Sequence, residues 1–109
     1  MTVKELKELC GFEELNLSDP GREIDGVYIG DLLSWVMGRA KSDNVWITIM
    51  SNVNVIAVAT LADVSSIILA EGVTLPDEVL EVAKDKGVNV LKSDLSIYDV
   101  ALKIAKVSK

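Results

Sequence analysis

Histidine is absent from this chain of 109 residues. That absence removes imidazole from acid–base catalysis, from a Ser-His-Asp arrangement and from metal ligation. Cysteine occurs once, at Cys10, so no disulfide can close within the chain, and a cytoplasmic, reducing setting is expected. One thiol also falls short of the roughly four ligands an iron–sulfur cluster takes. On an apolar helical stripe Cys10 reads as core, the alternative being a cluster shared across a dimer. Glycine-rich phosphate loops are missing in both common spacings, which leaves a kinase or a dinucleotide enzyme unsupported. Positive charge is scarce: 11 Lys and Arg stand against 17 Asp and Glu, a net charge of −6. Such a surface repels phosphate backbones and anionic lipid, so nucleic acid and membrane are not expected partners. The opening MTVKELKELCGFEEL carries acids throughout and is not expected to be a secretion signal.

Aromatic residues are few, with two Trp, two Tyr and one Phe. The core must therefore come from Val, Ile, Leu and Ala, which suits the buried strands of a layered α/β fold. No linker, repeat or low-complexity tract divides the chain, and a single domain over 1–109 is expected.

Charge is missing altogether from Asn44 to Ala62, within which lies WITIMSNVNVIAVATLA. A membrane span, one long strand, or a strand turning into a helix would each explain it. A spanning helix needs about 20 largely apolar residues, and Ser51, Asn52 and Asn54 split this run into two short ones. Val45–Met50 reads as a strand. The β-branched residues beyond favour a strand by propensity, at a helical cost of about 2–3 kcal/mol in total. Burying two such side chains offsets that cost, and a parallel connection to the apolar run Ser66–Ala70 requires a crossover. A helix capped by Ser51 or Asn52 is therefore predicted.

Elsewhere Thr2 and Glu5 form a capping box for a first helix bearing Val3, Leu6, Leu9 and Cys10, which Gly11 ends. Phe12–Asn16 and Ile24–Ile29 read as strands. Asp31 is placed as N-cap or first-turn residue of a short helix carrying Leu32, Leu33, Trp35, Val36 and Met37. Pro76-Asp77-Glu78 starts another helix that Gly87 stops, with Val79, Leu80, Val82 and Ala83 inward. Val88–Leu91 is a fifth strand, and Ser96 with Asp99 opens a terminal amphipathic helix. The alternation predicts a three-layer α/β domain with a mostly parallel sheet of about five strands.

GDLLSWVMGRA (residues 30–40), WITIMSNVNVIAVATLADV (46–64) and IILAEGV (67–73) resemble the DRTGG-domain family. They are most similar to small stand-alone members encoded beside iron-only hydrogenases in anaerobic bacteria. The resemblance implies a fold similar to the N-terminal domain of HPr kinase, a tendency to homodimerise, and a regulatory or ligand-sensing role without catalysis. It places that role in hydrogenase or fermentative redox metabolism. The alternative it implies is an adaptor or assembly factor for a hydrogenase subunit or a redox-sensing kinase. The family signature sets Gly, Asp or Asn, then Arg after the third strand, and Thr-Gly-Gly after the fourth. Here those places hold Met50-Ser51-Asn52-Val53 and Ala70-Glu71-Gly72, so the arginine is gone and Glu71 adds a negative charge.

Ligands of open parallel sheets bind at the carboxyl ends of strands. Those ends supply the candidate site: Gly30, Asp31, Ser51, Asn52, Asn54, Glu71, Gly72 and Ser93, with Lys92 beside them. The alternative is that these residues only cap helices and turn the chain. Asp31 and Glu71 are also weighed as a carboxylate pair for acid–base work or Mg²⁺. No catalytic residue, resident metal or cofactor is assigned. Trp35, Met37 and Trp46 are the candidate dimer contacts, because Trp and Met are enriched at interfaces.

Overall fold

The computed structural model describes residues 1–108. Helix α1 (Val3–Cys10) begins where predicted: Thr2 Oγ1 accepts the Glu5 N–H at 3.2 Å and Glu5 Oε1 accepts the Thr2 N–H at 2.8 Å. Gly11 ends it at φ 71°. Strand β1 (Glu13–Asn16) follows, and then a loop leads to β2 (Val27–Ile29). The strand expected from Ile24 starts later because Gly26 turns the backbone to φ 78°. Upstream of it Ile24 bonds to the Met1 carbonyl and Asp25 to the Asp43 carbonyl.

From β2 onward the chain alternates: α2 (Leu33–Arg39), β3 (Val45–Thr48), α3 (Val53–Ala62), β4 (Ser66–Leu69), α4 (Asp77–Lys86), β5 (Val90–Lys92) and α5 (Ile97–Val107). The five strands form one sheet in the order β1-β5-β4-β3-β2. All neighbours are parallel except β1, which runs antiparallel to β5 with a register shift between Glu14 and Asn16.

Strand alternation divides the core between two faces. Trp46, Ile67, Leu69 and Val90 face α2, α3 and α4, where Val36, Val55, Ile56, Ala59, Val79 and Ala83 meet them. Val45, Ile47, Ile68, Ala70 and Leu91 face α1 and α5, meeting Val3, Leu6, Cys10, Val100 and Ile104. The result is the predicted three-layer α/β domain. The contested segment is a helix, as topology required: Val55, Ile56, Val58 and Ala59 are buried, and that burial outweighs β-branched propensity.

The base of the sheet, at the amino ends of the parallel strands, is held by polar side chains that the sequence reading left unassigned. Asn89 is 3% exposed and ties the β1–β2 loop down. Its Oδ1 accepts the Asp19 N–H at 2.9 Å, and its Nδ2 donates to the carbonyls of Asp19 (2.8 Å) and Ser65 (3.1 Å). Arg22 donates to Asp43 Oδ1 (2.8 Å), Asp63 Oδ1 (3.0 Å) and the Asp63 carbonyl (2.8 Å). No helix among the described residues is long and apolar enough to cross a membrane.

Candidate functional site

The order of the sheet gathers the carboxyl ends of β2, β3, β4 and β5 on one rim, and the candidate ligand residues Gly30, Asp31, Ser51, Asn52, Asn54, Glu71, Gly72 and Ser93 lie there. What the side chains do on that rim differs from the expectation in several places.

Asp31 is not a helix cap. The N-cap of α2 is Leu32, which makes no side-chain cap bond. The Asp31 carboxylate turns to the neighbouring strand instead: its Oδ1 accepts the Thr48 hydroxyl at 2.7 Å and the Ile49 N–H at 3.0 Å. Thr48 is fully buried and also accepts the Met50 N–H at 3.2 Å. A short chain of bonds therefore fastens the β2–α2 turn to the end of β3.

Glu71 takes a similar structural part at the end of β4. It sits at φ 62°, its N–H donates to the Leu95 carbonyl at 2.8 Å, and its Oε2 accepts the Ile97 N–H at 3.3 Å. That carboxylate meets the positive end of α5, where a negative charge is favoured. Asp31 and Glu71 follow β2 and β4, which flank β3 on opposite sides, so their backbones stand about 10 Å apart. Each carboxylate is bonded to its own neighbour, and the two do not form a pair. Among the described residues no cluster of three or more His, Cys, Asp or Glu side chains is placed to hold a metal ion.

Gly72 is held at φ 76° with its N–H on the Ser93 carbonyl, and a Cβ there would lie 3.3 Å from Asp94 Oδ1. Ser93 Oγ accepts the Leu95 N–H at 3.1 Å. Gly30 gives its carbonyl to the Trp46 indole N–H at 2.9 Å, and the Tyr28 ring stands 3.0 Å from where its Cβ would be. Of the two residues expected to cap α3, Ser51 and Asn52, it is Asn52 that does so, accepting the Asn54 N–H at 2.9 Å. The side chains of Ser51 and Asn54 make no hydrogen bond within the described residues, and Asn54 is exposed. The amino end of α3 carries no acid in its first turn, whereas the amino end of α5 is already met by Asp99 and Glu71.

The three aromatic and Met candidates for a dimer contact separate. Trp46 is fully buried, packed beneath α2 and α3 with its indole N–H satisfied, and has no surface to offer a partner. It must be dropped from the interface set. Trp35 and Met37 are 53% and 42% exposed, with Leu32 at 58%, and Arg39 lies over the Trp35 ring at 3.8 Å from its centroid. Val36 is the single buried residue of α2, so the helix is not sunk in the core. Cys10 is buried in the α1–α5 face, and burial pushes its thiol pKa up, against a smaller opposing effect of Lys103.

A model of the DRTGG domain family matches residues 21–107. No curated relative matches the chain. Among solved structures, it is similar to the CBS and DRTGG domains of the regulatory region of Clostridium perfringens pyrophosphatase, crystallised with the activator diadenosine tetraphosphate. The TM-score is 0.74 at 16% sequence identity, over 94% of this chain and 45% of that one. The chain thus spans less than half of that structure, and at this identity the likeness establishes a shared fold.

Proposed function

The chain belongs to the DRTGG domain family, and from that premise we propose that it is a regulatory domain that senses a small molecule and has no catalytic role. The observation that carries the reading is the rim itself. Four parallel strand ends and the open amino end of α3 meet there, with Ser51 and Asn54 uncommitted to the fold. Asp31, Glu71 and Asp94 make the rim acidic against Lys92 alone, so a neutral polar ligand fits better than a phosphate-rich one. In the pyrophosphatase the regulatory region was crystallised with a nucleotide activator, which makes nucleotides the first probes despite that charge. The proposed setting, hydrogenase or fermentative redox metabolism, rests on the resemblance of the sequence.

Thermal-shift measurements with nucleotides, acyl phosphates and flavins test the reading. One ligand should raise the melting temperature, and Ser51→Ala with Asn54→Ala should remove that rise without changing the unliganded protein. No shift with any of them, or a shift that survives the double substitution, defeats it.

A second element of the proposal is a homodimer through α2. The exposed Leu32, Trp35 and Met37 lie next to α3, which has no charged residue to oppose a second acidic chain. Sedimentation of the wild type should show a dimer that Trp35→Asp converts to monomer. A monomeric wild type removes the interface. The same exposed apolar surface favours the adaptor reading if no ligand is found, with a hydrogenase subunit or sensor kinase as the protein to test.

A further inference from the structure

Strand β2 is the last of the sheet, and one of its edges is unpaired among the described residues. Its pairing to β3 uses the Gly26 carbonyl, bonded to the Val45 N–H at 2.9 Å, and the Gly30 N–H, bonded to the Ile47 carbonyl at 3.3 Å. Parallel ladders alternate, so the peptide groups of Val27 and Ile29 point to the free edge. Their side chains are 43% and 47% exposed on the face covered elsewhere by α1 and α5. A cleft of about 600 Å³ separates them from Ala101 and Ala105 of α5, whose small side chains leave it unfilled. A second cavity of about 410 Å³ touches the same strand at Val27 and the preceding Gly26. The edge thus offers free backbone groups and an apolar floor together, an arrangement that adds a strand readily.

Charge decides what that strand is. From Glu23 to Gly38 the sequence has no Lys or Arg, and the exposed Asp25 and Asp31 stand on either side of β2. Antiparallel pairing of two copies about Tyr28 would match Val27 with Ile29 and set Asp25 of each copy opposite Asp31 of the other. Like charges facing each other destabilise a strand pair, and because Asp31 stays exposed even with its Oδ1 bonded to β3, that repulsion would occur twice. We propose that the β2 edge receives an extended segment of a different protein, with two apolar residues at alternate positions and Lys or Arg on both sides. The alternating apolar side chains enter the cleft beside α5; one basic flank meets the exposed Asp25, and the other is drawn by the exposed charge of Asp31, whose Oδ1 stays bonded to β3. This surface lies on the opposite face from α2 and shares only Asp31 with the strand-end rim.

Amide exchange of the ¹⁵N-labelled full chain tests the proposal, with a synthetic peptide of alternating Val and Thr bearing two Lys at each end. A peptide with Glu in place of Lys is the control. The Lys peptide should slow exchange of the Val27 and Ile29 amides selectively, and its affinity should fall by about tenfold between roughly 20 and 300 mM salt. Val27→Lys, a change at a half-exposed position, should abolish binding while leaving the melting temperature near that of the wild type. No protection of those amides, equal binding of the Glu peptide, or protection elsewhere in the chain overturns the proposal. Self-association of the free protein that Val27→Lys disrupts overturns it in favour of a second copy.

Discussion

Replacing Asp31 with alanine removes the acceptor of two hydrogen bonds at once, from the Thr48 hydroxyl and the Ile49 N–H. The two losses are unequal. Ile49 is 39% exposed, so water can reach its amide and the cost stays near the lower end for a hydrogen bond, about 0.5–1 kcal/mol. Thr48 is 0% exposed, so its hydroxyl hydrogen loses its partner where water cannot replace it, at about 1–3 kcal/mol. Together Asp31→Ala should destabilise the domain by about 1.5–4 kcal/mol, a large share of the 5–15 kcal/mol typical of a domain. Asp31→Asn keeps an acceptor oxygen in place and should recover more than half of the loss. Thr48→Val removes the donor, so the double variant with Asp31→Ala should cost at least about 1 kcal/mol less than the sum of the singles. Urea unfolding followed by tryptophan fluorescence gives all four free energies, and the slope against denaturant should stay constant if only stability changes. A loss below about 0.5 kcal/mol for Asp31→Ala, or additivity in the cycle, would refute the clasp. Asp31 would then be free to serve as a ligand residue after all.

Other outcomes follow from the same structure. Asn89→Ala, which removes the partner of one buried and two part-buried backbone groups, should cost about 2–4 kcal/mol, whereas Asn54→Ala should cost under about 0.5 kcal/mol, both read from chemical denaturation. Ser66 Oγ is buried without a partner among the described residues, so Ser66→Ala should raise stability by about 1 kcal/mol; a loss of that size would mean the hydroxyl is satisfied. Hydrogen bonding to Ser42 and then to Arg22 holds the Asp63 carboxyl below its usual range. Its folded pKa lies under its unfolded value, so its contribution is complete above about pH 4 and fades as pH falls through the folded pKa. Asp63→Asn should flatten that part of an acid-unfolding profile while leaving the curve above about pH 6 parallel to wild type. The Cys10 thiol should react with a disulfide reagent only on unfolding, since it is buried with a raised pKa.

Local chemistry was legible wherever a residue's partner lies within one turn of chain. The Thr2–Glu5 box, the Asn52 cap, the Ser96 cap and the stops at Gly11 and Gly87 all follow from residue type and spacing. The helix over Val53–Ala62 was legible for a different reason, since two parallel strands cannot be neighbours without a crossover. Side chains whose partners come from other segments were misread or missed. Asp31 had the sequence signature of a cap, yet its carboxylate met β3 because the parallel register brings Ile29 beside Ile47. Trp46 carried the composition of an interface residue, and only the stacking of α2 and α3 over β3 shows it to be core. Asn89 and Arg22 gave no local signal, because their bonds run to residues far along the chain.

The sequence by itself determined the class of fold, the elements and their caps, and the absence of histidine and excess of acidic over basic residues that narrow the chemistry. These are properties of composition and of short-range periodicity, which a chain carries before it folds. Tertiary structure alone decided which polar residues of the rim are spent on holding it together and which remain free. It also decided that α2 keeps an exposed apolar face and that β2 keeps an open edge between two acids. Those outcomes depend on which strand becomes the edge and how far each helix reaches across the sheet, and neither is written in the spacing of residues along one segment.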